Sequence, residues 1–214
     1  MNALRRIVAA GLLPGAALAS DFSKADLNEN LLRALRHGDE HSYRLVLGLG
    51  ADLHARDRAG GNGVLMAALG GNELLLHELL RDGVEPDAVG SEGMSALAVC
   101  ALRGRLSSVI LLLRHGANPN VRTASGDTPL HLAVKLGREE VVAALLRGGA
   151  NPLVADAEGR TPLYRAILSF REPIALRLLA HSPPWTPELA DETLLNVARG
   201  AGMLRLADAM AQRR

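Results

Sequence analysis

The chain is 214 residues long, 48% hydrophobic and only 2% aromatic, so its core must be built from Leu, Ala and Val. Its 24 basic and 23 acidic residues nearly cancel, which excludes the strongly basic footprint of a nucleic-acid binder. A single cysteine, Cys100, excludes an internal disulfide and any multi-cysteine metal site.

Residues 1–19 read differently from the rest. Arg5 and Arg6 give a positive start, Ile7 to Leu13 is apolar, Pro14-Gly15 breaks the run, and Ala17-Leu18-Ala19 supplies an A-x-A cleavage signature. This layout predicts a secretory signal peptide cleaved after Ala19, with an apolar run too short to anchor in a bilayer. The alternative, an amphipathic capping helix, lacks the polar residues for a solvated face. Arg5-Arg6 leaves twin-arginine export open beside general secretion. Removing the segment leaves 22 basic against 23 acidic residues, a nearly neutral mature chain with no membrane span. Residues 20–26 form a short leader.

From residue 27 onward the chain repeats itself. Gly60, Gly93, Gly126 and Gly159 recur every 33 residues, as do Gly38, Gly71, Gly104 and Gly137. Leu31, Val64, Leu97, Leu130 and Leu163 hold the same step, and small residues fall at Ala34, Ala67, Cys100, Ala133 and Ala166. A period of this length is the mark of a stacked repeat array. It divides the chain into about six units: 27–59 as an N-terminal cap, 60–92, 93–125, 126–158, 159–191, and 192–214 as a C-terminal cap.

Residues 126–158 show what one unit does. Thr128 is suited to cap a helix and Pro129 to its first position, where no amide donor is needed. Leu130, Ala133 and Val134 make a short apolar stripe before Gly137 ends the helix in a left-handed conformation. A second helix carries Val141, Val142, Leu145 and Leu146 on one face, and Gly149-Ala150-Asn151-Pro152 closes it. Neither helix is stable alone at this length, so both depend on stacking against neighbours.

Thr128-Pro129-Leu130-His131-Leu132-Ala133 matches the T-P-L-H-x-A signature of the ankyrin repeat, and Thr161-Pro162-Leu163-Tyr164-Arg165-Ala166 nearly does. Gly116-Ala117-Asn118-Pro119-Asn120 and Gly149-Ala150-Asn151 match that family's turn after the second helix. The chain therefore resembles an ankyrin-repeat protein over residues 27–214. The resemblance implies an all-α solenoid of stacked antiparallel helix pairs with hairpin-like loops. It also implies a histidine, His131, that ties the loop to the helix start.

Four departures carry their own expectations. Asn62-Gly63 replaces Thr-Pro, which predicts a looser helix start. Phe170 stands where four other units have glycine; a bulky residue is costly in a left-handed backbone, which predicts a rearranged turn at Ser169-Phe170-Arg171, with Pro173 helping the next helix to start. Ser182-Pro183-Pro184-Trp185 replaces the regular turn after His181, with Trp185 covering the end of the core. Thr186-Pro187 then restarts a helix, and Thr193 follows Thr161 by 32 residues, one short of the period.

Catalytic chemistry finds little support. His37-Gly38-Asp39-Glu40-His41 is an H-x-x-E-H string, but zinc-peptidase chemistry needs it on one continuous helix and Gly38 interrupts it. Gly60-Gly61-Asn62-Gly63 lacks the Lys-Ser/Thr of a phosphate loop and falls where the other units have loops. Cys100 replaces a small core alanine, where a thiol is inert without a group that lowers its pKa. No cofactor or metal site is expected, and the chain reads as a binding protein rather than an enzyme.

The resemblance implies that another protein binds across the loop tips and the exposed side of the first helices. Carried over by position, the loop candidates are Arg58, Met94, Asp127 and Arg160, with Ser91, Glu92, Ala124, Ser125 and Glu158 beside them. The helix candidates are Arg36, Leu102, Arg103, Lys135, Leu136 and Leu168, with Leu69 in the same register. The expected protein is a monomeric module in the periplasm that shelters, inhibits or scaffolds a partner, including as immunity against a periplasmic toxin. An exported effector acting on a host protein is the alternative. A hydrolase, dependent on His37, His41 or Cys100, is the third.

Overall fold

The computed structural model describes residues 23–183 and 192–213. The expected signal peptide, Trp185 and the helix start at Thr186-Pro187 lie outside the described residues. Among the described residues there are twelve α-helices, here α1 to α12 in chain order, and no strand beyond one isolated bridge between Arg56 and Asn62. None of these helices is long and apolar enough to cross a membrane. The chain forms two compact units, divided between Ser91 and Glu92.

The first unit holds two helix pairs, α1 (Lys24–His37) with α2 (Glu40–Gly48), and α3 (Gly63–Gly70) with α4 (Glu73–Arg81). Ser23 caps α1 through its hydroxyl, so that helix opens three residues ahead of the first repeat boundary read from the period. Gly38 takes φ +67° and ends α1, and Asp39 caps α2. His37 and His41 therefore belong to different helices, and the H-x-x-E-H string never shares one helical face. No group of three His, Cys, Asp or Glu among the described residues is arranged to hold a metal ion.

The start of α3 corrects the expectation of a loose end. Asn62 is 2% exposed; its side-chain oxygen accepts from Leu65 N at 3.1 Å and its amide donates to Glu85 O at 2.6 Å. An asparagine oxygen caps as well as a hydroxyl, and its NH2 adds a donor that threonine lacks. The substitution thus exchanges one cap for another and adds a tie to the following loop.

The second unit continues the pattern with α5 (Ala96–Arg103) and α6 (Leu106–Arg114), α7 (Pro129–Lys135) and α8 (Glu139–Arg147), α9 (Pro162–Leu168) and α10 (Glu172–His181), and α11 (Glu192–Gly200) and α12 (Leu204–Ala211). The first helices α5, α7, α9 and α11 pack side by side, and the second helices α6, α8, α10 and α12 form a parallel layer behind them. Between the layers lie Leu97, Leu112, Leu130, Leu145, Ile167 and Leu178, all essentially inaccessible. Burying each such side chain contributes about 1.5–3 kcal/mol, far more than a helix of eight residues gains from its own propensity. Cys100 sits in this core at 0% exposure.

Ser95, Thr128 and Thr161 cap α5, α7 and α9 by accepting from the backbone N–H three residues on. The loops before these helices are hairpin-like: Thr123 N donates to Asp127 O at 2.9 Å and Asp156 N to Arg160 O at 2.9 Å. Neighbouring loops are joined directly, Ala124 N to Glu92 O at 2.8 Å and Ala157 N to Ser125 O at 3.2 Å. Gly126 is required here, because its φ is +77° and a Cβ would meet Ala157 N at 2.6 Å.

The turn at Phe170 also departs from expectation. Phe170 keeps the left-handed conformation at φ +54°, and the turn is not rearranged. Phe170 N donates to Ile167 O and Arg171 N to Ala166 O, each at 3.0 Å, which repeats the pattern of Gly137 and Arg138 with Val134 and Ala133. A non-glycine residue costs about 1–2 kcal/mol in this region. Rearrangement would break two hydrogen bonds and displace the buried stripe Ile174, Ala175, Leu178 and Leu179 of α10, so packing overrides the local preference. Pro173 lies in the first turn of α10, as the sequence predicts.

Candidate functional site

The candidate residues fall into separate groups. In the first unit, Arg36 lies exposed near the end of α1 and Arg58 exposed in the turn at 57–60. In the second unit, Arg103, Lys135, Leu136 and Leu168 all lie at the C-terminal ends of first helices. Leu136 is 42% and Leu168 45% exposed, Arg103 and Lys135 are exposed, and Leu102 beside them is half-buried. The loop candidates Met94, Asp127 and Arg160 lie at the opposite, N-terminal ends. A seven-residue helix such as α9 separates Arg160 from Leu168 by about 10 Å of axial rise. The loop candidates and the helix-end candidates are thus two patches.

The loop patch is largely committed to holding the loops. Asp127 is 5% exposed and does not stand at a loop tip: its carboxylate accepts from Ser125 Oγ at 3.1 Å and pairs with Arg165 at 2.9 Å. This corrects its reading as a partner-binding residue, since a buried carboxylate bonded within its own chain presents nothing to a partner. Met94 is half-buried. Arg160 is held by Asp156, to which its Nε donates at 3.1 Å, and by Glu158.

Asp156 is the centre of this network. Its Oδ1 accepts from Glu158 N at 2.8 Å and Arg160 N at 2.9 Å, and its Oδ2 from Arg165 Nε at 2.8 Å. Burial pushes its carboxyl upward. The Arg160 N–H, the Arg165 and Arg160 guanidinium groups and the Glu158 N–H outweigh that and hold it far below the usual carboxylate range. Asp127 and Asp156 therefore share Arg165, a charged pair of loops fastened to α9.

His131 completes the fastening. Its Nδ1 accepts from Thr128 N at 3.2 Å, which leaves Nε2 as the donor to Arg160 O at 3.0 Å. Burial is the main reason its pKa is lowered, and the ring is neutral at pH 7. The histidine ties helix start to loop, as the resemblance implied.

The helix-end patch is different in character. Segments 102–105, 135–138 and 168–171 carry Arg103, Arg105, Lys135, Arg138 and Arg171 and no acidic residue. No side chain caps α6, α8 or α10, which start at the same edge, and Glu139, Glu140 and Glu172 lie in the first turns of α8 and α10. Arg138 lies over Gly104, where a Cβ would meet its Nε at 2.8 Å, and Arg171 covers Gly137 so closely that a Cβ there would overlap its guanidinium. Phe170 is 69% exposed at this edge. Lys135, Leu136 and Leu168 were expected here from the sequence and Phe170, Arg138 and Arg171 were not; the recurrence of Arg105, Arg138 and Arg171 every 33 residues was the available signal.

An open groove of about 310 Å³ crosses the second helices, lined by Leu106, Glu139, Glu140, Ala143, Arg147 and Arg177. Its mixture of signs contains no nucleophile paired with a base. Among known families, a model described as ankyrin repeats (3 copies) matches residues 31–123 and 100–186. No curated protein matches the chain.

Proposed function

The chain belongs to the ankyrin-repeat family, a family of protein–protein interaction modules, and on that premise we propose that it is an exported binding protein of the bacterial envelope. Its role is to shelter, inhibit or scaffold one partner protein in the periplasm, with immunity against an incoming toxin as one form of that role. Export is supported by the order of Arg5-Arg6, the apolar run to Leu13 and Ala17-Leu18-Ala19.

The observation that carries the binding reading is the helix-end patch of the second unit. Leu136 and Leu168 are large apolar side chains left in solvent beside Arg103 and Lys135. Apolar and arginine side chains gathered on one surface are the usual anchors of a protein interface.

Two measurements test the reading. Cell fractionation should find the mature chain, beginning at Ser20, in periplasmic extract; recovery from the culture medium would point instead to an effector released from the cell. A photo-crosslinking residue at Leu168 should then capture one protein from envelope extract, and the same residue on the exposed second-helix position Arg147 should not. Equal capture from both positions would sink the assignment.

A further inference from the structure

Phe170 is the one exposed aromatic among the described residues, and it occupies a backbone conformation that costs a non-glycine residue stability. Four repeats place glycine at this register. Nothing in the fold requires phenylalanine there: its ring is mostly in solvent, and glycine would make the same two backbone hydrogen bonds without strain. A strained, solvent-exposed large side chain that packing does not explain points to a use outside the fold.

Its surroundings indicate what it meets. Leu136 and Leu168 lie along the same edge, both exposed. Lys135 and Arg138 are exposed there, and neither forms a salt bridge among the described residues. Arg171 is half-buried, with its Nε enclosed and without a hydrogen-bond partner. Arg138 lies over Gly104, and the half-buried Arg171 is packed over Gly137. A guanidinium fork held in place suits carboxylates at fixed spacing better than mobile lipid headgroups.

Resting on the reading of the chain as a protein-binding module, we infer that this turn edge docks an acidic segment of the partner. Phe170 packs against an apolar side chain of that segment, and Lys135 and Arg138 face its carboxylates. The surface is distinct from the loop tips and extends the helix-end patch around the turn. The strain at Phe170 is then tolerated because binding uses the ring.

The test uses the full chain and a labelled synthetic peptide with one central Phe flanked by Glu and Asp, read by fluorescence anisotropy. A charge-reversed peptide with Lys is the control, and phosphatidylglycerol vesicles are a separate arm. The acidic peptide should bind at least about tenfold more tightly than its control, and salt should weaken it. Phe170→Gly should weaken binding about tenfold or more while raising the melting temperature, a pair of opposite effects that a purely structural role does not produce. Arg138→Glu should weaken binding to a similar degree.

Equal affinity for the two peptides, unchanged binding by Phe170→Gly, or binding to vesicles but not to the acidic peptide would each overturn the inference. If the peptide fails while envelope extract still yields a partner crosslinked at Leu168, this inference falls and the protein-binding reading stands. If both fail, that reading falls as well.

Discussion

Arg165 Nε donates to Asp156 Oδ2 at 2.8 Å, and the same guanidinium lies 2.9 Å from Asp127 Oδ1, so one residue of α9 holds the loops of two successive repeats. The Asp156 side chain is 1% exposed and that of Arg165 is 14% exposed. Removing Arg165 leaves the buried Asp127 carboxylate without its cation, which costs about 3–5 kcal/mol. Arg165→Met should therefore destabilise the chain by roughly that amount in urea melts. A loss under about 1 kcal/mol would show that the network is incidental.

Two groups of the loop network contribute to the response to acid. The Asp156 carboxyl is held low when folded, so its contribution is complete above the unfolded value of about 3.9 and is lost as pH falls through the folded value. His131 is held below its usual value of about 6.5, so the unfolded chain takes up its proton first and stability falls with pH below that point. Thermal melts across the acid range should show a decline beginning near pH 6.5 and a steeper one below about pH 4. His131→Gln should remove the first decline and leave the second.

Asn62 makes two bonds where threonine makes one. Asn62→Ala should cost about 1–3 kcal/mol, through the lost cap on Leu65 N and the orphaned Glu85 carbonyl. Asn62→Thr should restore the cap and recover part of the loss. Equal stability of the Thr and Ala variants would mean that the cap contributes nothing.

Phe170 and Gly137 occupy the same register with opposite tolerances. Phe170→Gly should stabilise by about 1–2 kcal/mol, because it relieves a left-handed phenylalanine. Gly137→Ala should destabilise by about 1–3 kcal/mol, because its Cβ enters the space taken by Arg171 in addition to the backbone strain. Arg171→Ala in the same background should lower that cost, and additive effects of the two substitutions would contradict the described overlap.

The parts of this fold that were legible in the sequence are local ones that repeat. Thr128-Pro129 marks a helix start, Gly137 its end, and the apolar stripes of α7 and α8 follow from spacing alone. The end of α1 at Gly38, which divides His37 from His41, was legible for the same reason. The misread positions depend on partners distant in the chain. Asn62 looked like a weakened cap until Glu85, 23 residues away, supplied its second bond. Asp127 looked like a loop-tip residue until Arg165 drew it inward, and Phe170 looked disruptive because the buried stripe of α10 that overrides its preference acts through tertiary packing. The candidate surface followed the same division: Lys135, Leu136 and Leu168 came from the period, whereas Arg138 and Arg171 gain meaning only once they are seen lying over the glycines of the preceding repeat.

On the proposed function, the second unit binds its partner protein through the ends of its first helices. The direct measurement is the affinity of the captured partner for the wild-type chain and for Leu102→Asp with Lys135→Glu, alongside melting curves for both. The expected result is a loss of about a hundredfold or more with an intact melting transition. Unchanged affinity in the folded double variant would contradict it.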